Sequence, residues 1–135
     1  IAARILKKGS GAHSTILALY GELGSGKTTF VRGFGRGLGL PHRFLSPTFI
    51  IVREYPLETG FFRRFYHVDL FRTETEADLT DFGFTEIFAD PGHLVVIEWA
   101  ERLGLLLPND RIDVNFMHKN NDKRVISIDD IRNKI

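Results

Sequence analysis

The residues with the clearest chemical potential form one stretch, Gly21 to Thr28, which completes the pattern G-x-x-x-x-G-K-[ST]. Its glycines permit backbone torsions and close approaches that a Cβ would block, so several backbone N–H groups could surround the oxygens of a triphosphate. Lys27 supplies a positive charge for the β- and γ-phosphates, and Thr28 supplies a hydroxyl for Mg²⁺. The stretch therefore predicts a phosphate-binding loop, and the competing interpretation is an ordinary glycine-rich surface turn.

Two carboxylates follow apolar runs and could complete such a site. Glu98 comes directly after Leu94–Ile97, where proteins with this loop carry an acidic residue near Mg²⁺, so we predict that it is a metal ligand. A solvated charge at a strand end is the alternative. Asp69 ends the run Phe65–Val68, in which alternation sends His67 and Asp69 to the same face. We predict a functional role for Asp69 and favour a hydrogen-bonded structural role for His67.

Two more residues near these runs bear on the site. Thr48 precedes a predicted strand, so its backbone or hydroxyl could sense the γ-phosphate and Mg²⁺ as the threonine of a switch loop does. A local turn made by its side chain is the competing interpretation. Trp99, the one tryptophan of the chain, we expect in the core rather than in contact with a ligand.

A set of strands and helices must bring these residues together. Ile16–Tyr20 is apolar on both faces, which predicts a strand at the centre of a covered parallel sheet. Phe30, Phe34 and Leu38 recur every four residues and predict a helix over Lys27–Leu38. The other predicted elements are an N-terminal amphipathic helix (Ile1–Lys8), an antiparallel hairpin (Phe49–Tyr55 and Phe61–Leu70), a helical segment over Thr73–Ala89 that is broken near Gly83, a buried strand (Leu94–Ile97), a short helix or loop (Leu103–Leu107) and a terminal hairpin (Ile112–Phe116 and Val125–Ile128).

Length and composition narrow the possible classes of protein. A chain of 135 residues predicts a single domain, residues 1–135. Eighteen basic and seventeen acidic residues leave a net charge of +1, which argues against a basic surface able to hold nucleic acid or a membrane alone. The chain has no cysteine for disulfides or metal sites, no apolar run of membrane-spanning length and no signal-peptide pattern at its N-terminus. We therefore expect a cytoplasmic protein whose contact with RNA, if any, is shared with partner proteins.

Four motifs, read together, resemble the TsaE family. They are Gly21–Phe30, Ser46–Phe49, His67–Arg72 and Val96–Trp99, and the likeness runs in order from about Ile16 to Ile128. The members of this family are small bacterial ATPases that take part in making threonylcarbamoyladenosine at position 37 of tRNA. The resemblance implies an α/β fold, a P-loop NTPase-like three-layer sandwich with a mainly parallel central sheet, antiparallel hairpins and flanking helices.

The resemblance also implies a set of site residues and partners. ATP and Mg²⁺ would bind at the loop, with Thr28 and Glu98 as metal ligands, Asp69 and Lys27 needed for hydrolysis, and Thr48 as a switch-like threonine. Hydrolysis would be slow and would depend on assembly with the TsaD and TsaB proteins. In that complex, ATP turnover would reset the TsaD active site between modification cycles. The implied nucleotide contacts are Gly21, Leu23, Gly24, Ser25, Gly26, Lys27, Thr28 and Thr29, with Lys123 or Arg124 added from the terminal hairpin.

The chain departs from the family at its start, and two other functions fit the loop. The family usually has an N-terminal strand and a threonine-bearing segment near the adenine, and we expect both to be absent from this chain. A small-molecule kinase would need a mobile lid with arginines, for which Leu57–Arg64 is the candidate. A non-catalytic scaffold would bind nucleotide without hydrolysing it.

Overall fold

The computed structural model describes residues 12–41, 51–58, 60–73, 79, 82–119 and 123–132. The helix predicted over Ile1–Lys8 and the predicted site residue Thr48 lie outside these ranges. The elements, in chain order, are β1 (Thr15–Tyr20), α1 (Lys27–Gly37), β2 (Val52–Pro56), β3 (Arg64–Asp69), α2 (Phe84–Ala89), β4 (His93–Glu98), a 3-10 helix (Ala100–Leu106), β5 (Ile112–His118) and β6 (Arg124–Asp130).

One mixed sheet contains the described strands in the order β2-β3-β4-β1-β5-β6. The four central strands β3, β4, β1 and β5 run parallel to one another. At the two edges, β2 pairs antiparallel with β3 and β6 pairs antiparallel with β5. β1 lies between β4 and β5, and its residues Ile16 to Leu19 are fully buried. The predicted fold class, a mainly parallel sheet with antiparallel hairpins, is confirmed.

Helices cover both faces of the sheet because the central strands are apolar on both sides. One face of the sheet, which we call the α1 face, packs against Val31 and Phe34 of α1 and against Leu38 at the C-terminal end of that helix. On the opposite face, the α2 face, α2 and the 3-10 helix pack against a second cluster. The sheet residues of the α1 face are Leu17, Leu19, Phe65, Leu94, Val96, Ile112, Val114 and Phe116, and those of the α2 face include Ile16, Ala18, Tyr66, Val68, Val95 and Ile97.

Most predicted elements are present, with shifted ends. The strand predicted from Phe61 begins only at Arg64, because Phe62 is buried in the α1-face cluster before strand pairing starts. α2 begins directly after Gly83, which adopts a left-handed conformation at the predicted break. The terminal hairpin is longer than predicted on both strands. Within the described ranges, no helix is long and apolar enough to cross a membrane.

Candidate functional site

The glycine-rich stretch forms the loop between β1 and α1. Gly26 precedes α1 with φ +107°, a left-handed conformation that favours glycine, and its carbonyl accepts a hydrogen bond of 2.9 Å from the Phe30 N–H. Gly21 packs against β5, where a Cβ would come within 2.9 Å of the Phe116 backbone oxygen. No side chain caps the start of α1 among the described residues. The N–H groups of its first turn therefore remain available to an anion.

Lys27, the first residue of α1, is buried beneath this loop. The residue is only 5% exposed, and its ammonium donates hydrogen bonds to the carbonyl oxygens of Gly21 and Glu22, the latter at 3.1 Å. The same nitrogen lies 4.0 Å from the centre of the Trp99 ring, a cation–π contact. Burial lowers the pKa of Lys27, and the nearby carboxylates of Glu98, Glu101 and Asp69 partly offset that effect. The loop thus holds a desolvated positive charge.

The two predicted carboxylates lie side by side at the carboxyl end of the parallel strands. Asp69 and Glu98 are partners in the register of β3 and β4, and both lie on the α1 face. The Thr28 hydroxyl donates a hydrogen bond of 3.2 Å to Glu98 Oε1. His67 Nε2 lies 2.7 Å from Glu98 Oε2 in a buried contact. The predicted shared face of His67 and Asp69 is therefore confirmed.

Asp69 has an electrostatic environment that favours its neutral form. Burial raises the pKa of Asp69 most, and the adjacent Glu98 carboxylate raises it further. The Phe71 N–H, which donates a hydrogen bond of 3.1 Å to Asp69 Oδ1, together with His67 and Lys27, acts in the opposite direction. The net effect is a pKa above the ordinary aspartate value, as is common for carboxyl groups at functional sites.

A pocket of about 290 Å³ lies where these groups meet. Arg124 reaches it from β6, with one guanidinium nitrogen 3.7 Å from the position that a Cβ on Gly26 would take. Phe71 and Trp99 form an aromatic side of the pocket, with ring centres 5.2 Å apart. The lining residues are Leu23, Gly24, Ser25, Gly26, Lys27, Thr28, Thr29, Asp69, Phe71, Glu98, Trp99 and Arg124.

The structure brings together most of the residues that the sequence pointed to. Of the predicted loop contacts, Gly21 does not line the pocket. It packs instead against Phe116 of β5, at the base of the loop. Of the two basic residues predicted from the terminal hairpin, Arg124 lines the pocket, whereas Lys123 is exposed and is not among the lining residues.

Trp99 corrects one expectation, because it is not simply a core residue. It is only partly buried, lines the pocket and contacts Lys27. Its backbone is left-handed (φ 59°), which turns the chain immediately after β4 and keeps the indole beside the pocket. Its position next to Glu98 was the available sequence signal. Phe71, which was not predicted as a site residue, follows Asp69 by two residues.

Comparisons with known proteins agree on one family. A family model described as "Threonylcarbamoyl adenosine biosynthesis protein TsaE" matches residues 1–126. The tRNA threonylcarbamoyladenosine biosynthesis protein TsaE of Bacillus subtilis is 37% identical over 124 residues, covering 88% of this chain and 72% of that protein. The Treponema pallidum protein of the same name is 31% identical over 128 residues, covering 95% and 87%. Among solved structures, crystalline YdiB from Bacillus subtilis aligns with a TM-score of 0.65 at 31% identity, covering 89% of this chain and 70% of that one.

Proposed function

The chain belongs to the TsaE family of tRNA threonylcarbamoyladenosine biosynthesis proteins, and we propose that within this pathway it is a Mg²⁺-dependent ATP-binding subunit that hydrolyses ATP slowly. The observation that carries the proposal is the convergence of a buried lysine, a glycine loop and two carboxylates on one pocket. The elements that supply these groups are separate in sequence and meet only through the fold.

The pocket suits the polyphosphate end of a nucleotide. The Ser25 hydroxyl is buried and has no hydrogen-bond partner among the described residues, so an anion there would satisfy it. The first turn of α1 offers uncapped N–H groups, and Lys27 offers a positive charge. The pocket has a volume of about 290 Å³, which is close to the lower end of the range for small-molecule sites.

Thr28 and Glu98 are the residues that would hold Mg²⁺. The hydroxyl and the carboxylate already face each other at 3.2 Å, and oxygen is the donor that Mg²⁺ prefers. Within the described part of the chain, no three side chains of His, Cys, Asp and Glu form a metal-binding group. This fits an ion that takes one or two protein ligands and completes its shell with phosphate oxygens and water. When bound, Mg²⁺ neutralises charge on the phosphates during transfer.

We assign to Asp69 the role of orienting the attacking water. It stands beside Glu98 at the pocket, and its raised pKa reflects burial and the neighbouring charge. A group near the transferred phosphate that accepts a hydrogen bond from water would align that water for in-line attack. Loss of Asp69 should therefore reduce turnover more than nucleotide affinity.

The fold does not favour the kinase alternative. The described part of the connection 57–64 joins β2 to β3 at the amino end of β3, whereas Asp69 and the pocket lie at the carboxyl end of that strand. Phe62 anchors the connection in the core, and Arg63 binds the Asp90 carboxylate with both distances at 2.8 Å. These contacts do not suit a mobile lid that closes over a phosphate.

The first experiment separates binding from turnover. Trp99, the sole tryptophan, touches Lys27, so its fluorescence reports nucleotide binding without a label. We expect Lys27→Ala to abolish the ATP-dependent signal, and Asp69→Ala to retain it while phosphate release falls by about 100-fold or more. Equal loss of ATP affinity in both variants would contradict the assigned roles. Binding by wild-type protein with no turnover, even with partners added, would instead support the scaffold alternative.

The second experiment concerns partners. We propose that nucleotide-bound protein joins the TsaD and TsaB proteins in the cytoplasm, that turnover resets TsaD, and that contact with tRNA is indirect or shared. Purified TsaD and TsaB should be retained by this protein with a non-hydrolysable ATP analogue and released without it. If TsaD and TsaB are retained equally with and without nucleotide, or equally by Lys27→Ala, binding of these partners is not controlled by nucleotide and the proposal is contradicted.

A further inference from the structure

His67 and Glu98 form a deeply buried ionisable pair within the described part of the chain. His67 Nε2 lies 2.7 Å from Glu98 Oε2, and the two side chains are 8% and 4% exposed. The other carboxylate oxygen of Glu98 accepts the Thr28 hydroxyl at 3.2 Å. Each oxygen of Glu98 therefore has a different partner, and the plane of the carboxylate is fixed by the two contacts together.

The sheet explains how His67 reaches Glu98. In the parallel register of β3 and β4, His67 pairs with Val96 and Asp69 pairs with Glu98. His67 is thus the diagonal neighbour of Glu98 on the α1 face, one row below the pocket. On one side His67 is followed in this row by the buried apolar residues Val96 and Leu17, and on the other side its partner in β2 is Arg53. Within this row of apolar and basic residues, the imidazole has the Glu98 carboxylate as its diagonal partner.

We propose that His67 is a positioning residue that holds the Glu98 carboxylate in the orientation needed for binding the divalent cation. The inference rests on the proposed function. A nearly buried carboxylate needs donors, and among the described residues these are the imidazole and the Thr28 hydroxyl. His67 donates to Oε2 from below, so Oε1 is directed to the Thr28 side, where the cation would bind. Without the imidazole, Glu98 loses this restraint and turns away from that geometry.

The test measures cation dependence apart from catalysis. Mn²⁺ binding to the protein with ADP is followed by electron paramagnetic resonance, and ADP binding in EDTA is followed by Trp99 fluorescence. We expect His67→Leu to weaken Mn²⁺ binding by about 10- to 100-fold, the usual cost of removing a group that orients a metal ligand, while ADP affinity in EDTA stays unchanged. His67→Gln, whose amide nitrogen can reach the Nε2 position, should recover most of the loss. His67→Asn, which is too short, should not.

His93 provides a matched control at the other end of the same strand pair. It contacts the Asp90 carboxylate at 3.3 Å and the Ile87 carbonyl at 3.0 Å, and it pairs with Arg64 in the sheet. His93→Leu should lower stability without weakening Mn²⁺ binding. If both leucine variants weaken Mn²⁺ binding equally, or if His67→Gln behaves like His67→Asn, positioning by His67 is refuted.

The same experiment separates a failure of the proposed metal role of Glu98 from a failure of the positioning role of His67. If wild-type protein binds ADP in EDTA but shows no Mn²⁺ dependence, the metal role of Glu98 fails and the inference fails with it. If wild-type protein binds both ligands and His67→Leu does too, only the inference fails. Should His67→Leu not fold, as judged by circular dichroism, the comparison of His67→Gln with His67→Asn decides.

Discussion

Replacing Gly21 with alanine tests how the loop is attached to the sheet. An added Cβ would lie 2.9 Å from both the Cβ and the backbone oxygen of Phe116, and 2.7 Å from the Ser25 hydroxyl. Real Cβ atoms essentially never approach so closely, so something must shift. Ser25 could rotate, but the Phe116 oxygen belongs to β5, which pairs with both β1 and β6. The substitution therefore displaces the loop rather than the strand.

The expected cost follows from these contacts. Forcing a methyl group into a packed site costs about 1–3 kcal/mol, and for a chain of this size each kcal/mol corresponds to about 4 °C in Tm. Gly21→Ala should therefore lower Tm by about 4–12 °C. Because the Gly21 carbonyl also accepts a hydrogen bond from Lys27, displacement of the loop should weaken ATP binding as well.

Gly33 supplies the matched control. It lies exposed within α1, and no atom stands within 4 Å of the position that a Cβ would take there. Alanine at this position should stabilise the protein by about 0.5–1 kcal/mol, since glycine is unfavourable in a helix interior. Thermal unfolding by circular dichroism and ATP titration by Trp99 fluorescence are measured on both variants. If Gly21→Ala matches Gly33→Ala in Tm and in affinity, the close packing of the loop against β5 is refuted.

Three further predictions concern the pocket and its surroundings. Because the pKa of Asp69 is raised in the folded state, the wild-type protein loses stability as pH rises through that pKa. The Tm of Asp69→Asn should therefore increasingly exceed that of wild type between about pH 4 and pH 7. A difference in Tm that does not change with pH would contradict this. Arg124→Ala should weaken ATP binding and Lys123→Ala should not, measured by Trp99 fluorescence; equal effects would contradict the assignment of Arg124 to the pocket. Phe62→Ala should cost about 3–5 kcal/mol in urea unfolding if the connection before β3 is anchored, and a loss under about 1 kcal/mol would indicate a mobile segment.

The sequence predicted the local parts of the site well because each has a local physical signature. The glycine spacing of residues 21–28 required a loop, and the all-apolar run Ile16–Tyr20 required a strand covered on both faces. Alternation in β3 placed His67 and Asp69 on one face without knowledge of neighbouring strands.

Features that depend on strand order could not be predicted from these patterns. The contact of His67 with Glu98 requires β3 to lie beside β4, which periodicity does not reveal. The pocket position of Trp99 depends on a left-handed backbone that tryptophan rarely adopts. The sequence pattern of the terminal hairpin does not distinguish Lys123 from Arg124 either. Only the pairing of β6 with β5 shows that Arg124, opposite His118, is the residue that lines the pocket.

The alternation of side chains along β3 limits which insertions and deletions this protein can tolerate during evolution. Side chains alternate between faces with a period of two, so one inserted or deleted residue between Arg64 and Asp69 would exchange the two faces of the strand. Val68 would then face the loop, and polar groups would enter the apolar cluster beneath α2. Gaps in alignments should therefore avoid β3 and fall instead in the connection before Phe62, where a change of chain length leaves both layers in register.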